Sequence, residues 1–257
     1  MRRAIPIVLS ALVALAVPAV LLGNSLWVLA NGWYVHAEYA RPGFPDDRYG
    51  FTKAERTDLA LVGLRSIQPL NRDGVDVLRE PRLADGSPAF TEREIAHMDD
   101  VRGLVGKVLL AHAIALAVVV AAVVALWRLR LKSPFRNDGT VLHLETGSKS
   151  VVTHALLRGG VLMLAIAAVL GVLMLVNFDW FFVQYHEALF EGDSWRFRSS
   201  DTLIRLYPDA FWSDFGAVLA GLTVLQAVLL TGGAWRRLRQ SRVRTLEPAP
   251  AGDPPAS

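Results

Sequence analysis

The sequence VLLAHAIALAVVVAAVVALW, from Val108 to Trp127, decides the fold class of this chain. Among its residues only His112 is polar, and a helix needs about 20 apolar residues to cross the hydrocarbon core of a bilayer. The apolar residues are continuous rather than alternating, which argues against the strands of a membrane β-barrel. This stretch therefore predicts a transmembrane helix.

Three further apolar runs allow the same interpretation: Ala4 to Leu22, continuing less purely to Ala30; Gly159 to Val176; and Phe215 to Trp235. The chain has 257 residues, of which 53% are hydrophobic, and a mean hydropathy of +0.34. We therefore predict an all-α integral membrane protein with four transmembrane helices and a small extracytoplasmic cap between helices 1 and 2. The first run could instead be a cleaved signal peptide, but it exceeds the usual 7–15-residue apolar core of such peptides.

Charged residues are distributed unevenly between the segments that flank these runs. Residues 31–100 carry nine basic and thirteen acidic side chains, and residues 179–214 carry three and seven. The other flanks are rich in arginine and lysine, and cytoplasmic flanks collect such residues. Both termini and the loop between helices 2 and 3 are therefore predicted to be cytoplasmic. The arginines show no aromatic pattern that would suggest a nucleic-acid surface, so we predict no nucleic-acid partner.

These patterns divide the chain into eight segments. We predict transmembrane helix 1 over residues 1–30, an extracytoplasmic cap over 31–100, helix 2 over 101–130, a cytoplasmic loop over 131–154, helix 3 over 155–182, an extracytoplasmic segment over 183–210, helix 4 over 211–235, and a cytoplasmic, disordered tail over 236–257. Thr52 with Glu55, and Thr91 with Glu94, fit the Thr-x-x-Glu pattern of a capping box, which begins a helix. The second of these predicts a helix that continues unbroken to Trp127.

Two histidines lie at corresponding ends of predicted helices. His97 lies in Thr91-Glu-Arg-Glu-Ile-Ala-His97-Met-Asp-Asp100-Val101, just before helix 2. His186 ends Phe181-Phe182-Val-Gln-Tyr185-His186, after helix 3, and belongs to a stripe in which aromatic rings recur every four residues. Both should therefore lie at the same water–lipid boundary, near one another. Histidine titrates near neutral pH, so such a pair is suited to acid–base chemistry.

Other classes of site are less consistent with the sequence. The chain has no cysteine, which excludes thiolate nucleophiles and thiolate metal sites. The two histidines are 89 residues apart without a His-x-x-x-His pattern, so we predict no metal site. Asp100 follows His97 by three residues and would share its helical face, where it could orient the imidazole. His112 could be functional because it lies at membrane depth, but a structural hydrogen bond to a neighbouring helix is the favoured interpretation.

Several of these segments resemble a bacterial family of four-span membrane proteins whose characterised members are lipoprotein intramolecular transacylases. The resemblance covers about residues 5–235 and is carried by Arg41-Pro-Gly-Phe-Pro-Asp46-Asp-Arg-Tyr-Gly50-Phe-Thr, by the two histidine segments, and by Trp195-Arg-Phe197 followed by Pro208 and Phe211-Trp212. It implies an enzyme of the bacterial cytoplasmic membrane that acts on membrane-anchored diacylglyceryl lipoproteins. Such an enzyme moves the sn-2 acyl chain of the modified cysteine to the α-amino group of the same cysteine.

The resemblance also implies site residues. The essential histidines of the family correspond to His97 and His186, with Asp100 and Tyr185 in supporting positions. Arg41, Arg56 and Trp195 are weaker candidates for substrate binding, and no cofactor is expected. The rival interpretation is a non-enzymatic scaffold or accessory subunit whose cap binds a partner protein. A transporter is less consistent with the sequence, because the spans carry few polar residues to line a path.

Overall fold

The computed structural model describes residues 4–131, 141–190, 192 and 194–246. Within this part of the chain the protein is almost entirely helical, and its one β-bridge, between Arg82 and Pro88, is isolated. The helices are α1 (Ala4–Leu29), α2 (Gly32–Ala40), α3 (Lys53–Ile67), a 3-10 helix (Gly74–Arg79), α4 (Glu92–Leu131), α5 (Val141–Val176), α6 (Phe178–Leu189), α7 (Thr202–Leu206) and α8 (Asp209–Leu246).

Four of these helices are long and apolar enough to cross a membrane. The candidate spans are Ile5–Leu29 in α1, Glu92–Leu126 in α4, Val151–Val176 in α5 and Asp209–Ser241 in α8. The chain is therefore an all-α integral membrane protein with four transmembrane helices, as its composition predicts. The residues between α1 and α4 form the small cap together with the start of α4 and α7.

The prediction of one unbroken third helix over residues 155–182 is wrong. Helix α5 ends at Val176, and Asn177 leaves the helical conformation with φ −159° and ψ 94°. Its side-chain oxygen accepts a hydrogen bond from the backbone N–H of Trp180 at 2.9 Å, which caps a new helix, α6. Asparagine is among the best N-cap residues because its short side chain satisfies a free backbone donor. The apolar pattern continues across this break and does not show it.

Two predicted non-helical segments are also partly helical. Residues 141–154, predicted as loop, belong to α5, and residues 236–246, predicted as tail, belong to α8. The arginines that follow the fourth span favour helix, since arginine loses little side-chain freedom in that conformation. The remainder of the predicted loop, 132–140, and of the predicted tail, 247–257, lies outside the described residues.

The chain forms two compact units, of which the first comprises residues 1–18, 116–164 and 226–257. Its helices approach closely where they carry glycine. A Cβ atom built at Gly159 would lie 2.6 Å from Val17 Cβ, and one at Gly160 would lie 2.3 Å from Thr231 Oγ1. Small residues permit such close packing of transmembrane helices. We infer that glycine is required at Gly159, where the backbone oxygen of Ala14 is also within 2.9 Å, whereas a side chain at Gly160 would require the Thr231 hydroxyl to rotate away.

The second unit comprises residues 19–115 and 165–225 and includes the cap. Its transmembrane part contains polar contacts between helices. His112 Nε2 of α4 is hydrogen bonded to Asn24 Oδ1 of α1 at 3.1 Å, and a Cβ atom at Gly23 would lie 2.3 Å from the His112 ring. These contacts favour the structural interpretation of His112, as a residue that joins two membrane helices.

The cap has an apolar core assembled from distant parts of the sequence. Its buried side chains come from α2, α3, the 3-10 helix, the segment that precedes α4, the start of α4, and α7: Val35, Tyr39, Ala60, Val77, Leu78, Ala89, Phe90, Ile95, Met98, Leu203 and Leu206. Helix α3 begins with the predicted capping box. Glu55 N–H donates to Thr52 Oγ1 at 3.2 Å, and Thr52 N–H donates to Glu55 Oε2 at 2.7 Å.

The second predicted capping box also joins two elements of the cap. Oε2 of the buried Glu94 accepts hydrogen bonds from the backbone N–H and the hydroxyl of Thr91, at 2.8 and 2.9 Å. Its other oxygen, Oε1, accepts the backbone N–H of Leu203 in α7 at 2.7 Å. Glu94 therefore fixes the start of α4 against α7, one helical turn before His97.

Candidate active site

His97 lies in the second turn of α4 inside a cage of rings. The residue is 9% exposed, and its ring centroid lies 5.2 Å from that of Phe190 and 5.3 Å from that of Phe197. The ring of His186 is 6.5 Å away and nearly parallel, at 29°. The two histidines are therefore close together, as predicted. His97 Nδ1 is buried, and within the described part of the chain it has no hydrogen-bond partner.

His186, near the end of α6, has a defined tautomer. Its Nδ1 lies 2.8 Å from the backbone oxygen of Phe182, one turn earlier. A carbonyl oxygen can only accept, so Nδ1 carries the hydrogen and Nε2 of the neutral ring bears a free lone pair. Burial lowers the pKa of His186 below its ordinary value of 6.5, although the hydrogen bond to Phe182 opposes this shift. At neutral pH the ring is therefore uncharged and able to accept a proton.

A stripe of aromatic rings along α6 supports this imidazole. Ring centroids are separated by 6.2 Å from Phe178 to Phe182, 4.0 Å from Phe182 to His186, and 5.6 Å from His186 to Phe190. The four-residue recurrence in the sequence is therefore one face of a helix, as predicted. Trp195, from the segment after α6, stacks on the ring of His186 at 4.9 Å and 30°.

The two predicted supporting residues make different contacts with the pair. Asp100 accepts a long hydrogen bond of 3.4 Å from the hydroxyl of Ser194, and among the described residues no hydrogen bond joins it to His97. Tyr185 is 44% exposed and presents its ring edge-on to His186 at 5.1 Å. Asp100 thus contacts the segment that carries Trp195, whereas Tyr185 lies on a partly exposed face of α6.

The two arginines proposed as substrate contacts are occupied elsewhere in the second unit. Arg56 is only 4% exposed and donates to the backbone oxygen of Arg205 at 3.1 and 2.7 Å and to that of Pro45 at 2.7 Å. These contacts favour a structural role for Arg56. Arg41 pairs with Glu38 at 3.0 Å and with Asp214, and its side chain keeps 40% of its surface exposed.

The sequence did not indicate Phe197 as a wall of the site. This residue closes one side of the His97 cage, and the guanidinium of Arg93 lies 5.7 Å from its ring centroid. The spacing Trp195-x-Phe197 is the one sequence signal for this role, because Trp195 contacts His186 and Phe197 contacts His97. That signal is weak, because aromatic pairs at this spacing are common at membrane boundaries.

Four transmembrane helices and two adjacent imidazoles, one with a fixed tautomer, define a polytopic membrane protein with a histidine pair at the end of its helices. A family model described as "Lipoprotein intramolecular transacylase Lit" matches residues 11–212. The chain belongs to this family, as the motifs in its sequence indicate.

Individual relatives agree with this assignment. An uncharacterised protein of Aquifex aeolicus (strain VF5) is 30% identical over 233 residues, which are 90% of this chain and 93% of that protein. The solved structure of the membrane-integral lipoprotein intramolecular transacylase Lit from Bacillus cereus has a TM-score of 0.63 at 17% identity, covering 94% of this chain and 97% of the other. A variant of that protein with one histidine replaced by alanine gives 0.63 at 18% identity, with coverages of 94% and 95%. At these identities the structures show a shared fold.

Proposed function

We propose that this protein is a lipoprotein intramolecular transacylase. Its substrate is a membrane-anchored lipoprotein whose N-terminal cysteine carries a diacylglyceryl group, and its product is the lyso form, in which the sn-2 acyl chain has moved to the α-amino group. Family membership supports the reaction class. The observation that carries the mechanism is the pair of imidazoles, 6.5 Å apart, each with an available ring nitrogen.

The reaction requires two proton movements and no external reactant. The α-amino nitrogen attacks the carbonyl carbon of the sn-2 ester, forming a C–N bond, and the bond from that carbon to the glycerol oxygen then breaks. The amine loses a proton and the departing alkoxide gains one, so that an ester becomes an amide. A free α-amino group has a pKa near 8, so it is largely protonated at neutral pH. General acid–base groups with pKa values near neutrality are therefore suited to this step.

His186 is suited to the role of base. Its Nδ1–H is held by Phe182, so its free lone pair is on Nε2, and its lowered pKa keeps the ring neutral. His97, beside it in the same cage, acts as the acid partner that gives a proton to the alkoxide, and the proton that His186 took from the amine restores His97, so that both imidazoles end the cycle as they began it. No protein nucleophile is needed, because amine and ester belong to one molecule and are already close.

The substrate reaches this site from the membrane. We propose that the cap and the histidine pair lie on the extracytoplasmic face of the bacterial cytoplasmic membrane, with both termini in the cytoplasm. The exposed part of the Arg41 guanidinium remains a candidate contact for polar groups of the substrate. The acidic composition of residues 31–100 and 179–214 supports this orientation, since positive charge is retained on the cytoplasmic side.

Replacement of each histidine by asparagine tests the mechanism. His97→Asn and His186→Asn should each lower lyso-form production by about 10²–10⁴-fold, since asparagine hydrogen bonds but does not carry a proton at neutral pH. His36→Asn, on the exposed side of α2, is the matched control and should be unaffected. The measurement is mass spectrometry of lipoprotein N-terminal peptides from cells with equal amounts of each variant. Near-normal conversion by both site variants would disprove the mechanism and favour a scaffold.

A further inference from the structure

The indole of Trp195 is an unsatisfied donor inside the histidine site. The residue is 7% exposed, and its Nε1–H, within the described residues, has no acceptor. Indole nitrogen donates and does not accept, and buried donors in folded proteins nearly always have a partner. This buried N–H therefore requires an explanation, and its surroundings point to a ligand.

The position of the indole relates this N–H to the reacting groups. The Trp195 ring is stacked on His186 at a centroid distance of 4.9 Å and contacts Phe182 at 6.4 Å. Phe190 and Phe197, which pack on the imidazoles, offer no donor, and Tyr185, whose ring lies edge-on to His186, is 44% exposed rather than enclosed. Among these rings, Trp195 thus carries the buried, unpartnered donor that takes no part in moving protons.

The proposed reaction needs such a donor. When the amine attacks the ester, the carbonyl oxygen becomes an oxyanion, which collapses when the alkoxide leaves and the amide carbonyl forms. Preorganised donors directed at this oxygen supply much of the catalysis in acyl transfer, and they act most strongly where water is excluded. Both imidazoles are already engaged with the amine proton and the alkoxide, so a third group must bind the oxyanion.

We propose that Trp195 is a catalytic residue whose indole N–H donates a hydrogen bond to the sn-2 carbonyl oxygen and to the oxyanion derived from it. This inference rests on the proposed transacylase function. Two other donors lie near the indole. The Ser194 hydroxyl is directed to Asp100, and the exposed guanidinium of Arg196 pairs with Glu187 at 3.4 Å. Of these three donors, the indole N–H is the one that is both buried and unpartnered, and it is therefore best placed to bind an acyl oxygen where water is excluded.

Two changes to Trp195 separate its N–H from its shape. Trp195→Phe keeps an aromatic ring against His186, and incorporation of 3-benzothienylalanine keeps the bicyclic shape while replacing N–H with sulfur. Both should lower kcat by about 10²–10³-fold, the loss typical for one oxyanion donor, with a much smaller change in KM. Trp180→Phe, an exposed tryptophan on α6, is the matched control and should leave both constants unchanged.

The assay uses purified full-length protein in nanodiscs with a synthetic diacylglyceryl lipopeptide, and rates are expressed per folded molecule. Near wild-type kcat in the benzothienyl variant would overturn the inference while leaving the transacylase assignment intact, and it would assign Trp195 to packing. An equal rise in KM with unchanged kcat would overturn it as well, because the residue would then bind substrate without acting in the transition state. If wild-type protein did not convert the lipopeptide, and cells lacking the protein made the same amount of lyso-form lipoprotein, both the proposed function and this inference would fail.

Discussion

At the scale of single residues, the environment of His186 sets its protonation. Its ring is half-buried among Phe182, Phe190 and Trp195, and burial lowers its pKa, with the Phe182 hydrogen bond opposing. Just below pH 6.5 the unfolded chain therefore binds more protons at this position than the folded protein. The contribution of this ring to stability is present above the unfolded pKa and is lost as pH falls through the folded pKa.

We therefore expect an NMR titration of ring-labelled protein, with the His186 signal assigned from His186→Asn, to give a pKa below 6.5. Trp195→Ala should raise this value towards 6.5, because removal of the stacked indole admits water to the ring. Tyr185→Ala is the control, since that residue keeps 44% of its surface exposed and touches the same ring edge-on rather than stacking on it. A wild-type value at or above 6.5 would contradict the role of burial.

Local sequence patterns indicated the two histidines but not the role of Arg56. The histidines were identifiable because a capping box and an apolar run place His97 at a helix end, and four-residue spacing places His186 on an aromatic face. The contacts of Arg56 depend on the backbone oxygen of Arg205, 149 residues away in the sequence. A buried arginine whose partners are distant carbonyls has no local signal, so it could not be distinguished from a surface or substrate-binding arginine.

At the scale of secondary structure, Asn177 controls the orientation of the helix that carries His186. Its side chain caps α6, which has no fully buried residue along Phe178–Leu189 and so depends strongly on its ends and ring contacts. Asn177→Ala should cost about 1 kcal/mol of local stability, which raises the open fraction of α6 about fivefold. Faster hydrogen exchange of α6 amides and reduced transacylation should both follow.

Asn177→Asp is the matched variant for this test, because aspartate caps helices as well as asparagine does. It should retain wild-type exchange and turnover. Equal exchange rates in the alanine and aspartate variants would show that the cap does not hold α6.

The capping boxes at Thr52 and Thr91 were predictable because both partners lie within one turn, whereas the break at Asn177 rests on a single side chain within an aromatic and apolar sequence.

At the scale of the whole molecule, the transmembrane helices were the most predictable feature. A bilayer imposes one length and one composition on every span, so four apolar runs gave four helices. For the cap, the sequence predicted where helices begin but not which of them pack together. Its core joins α2, α3, α4 and α7, and bonds such as that from Leu203 N–H to Glu94 cross more than a hundred residues of sequence. Such pairings depend on three-dimensional packing, and no periodicity in the sequence specifies them.

The orientation of the molecule in the membrane remains a prediction from charge. Because arginine and lysine collect on the cytoplasmic side, reporter fusions at Asp73 and Ser194 should report the extracytoplasmic side, and fusions at Asn137 and Arg242 the cytoplasmic side. Asp73 in the cap and Ser194 beside Trp195 give independent readings of the same face. A cytoplasmic signal at Asp73 would reverse the orientation, and it would remove the histidine pair from the outer leaflet, where the proposed reaction requires it.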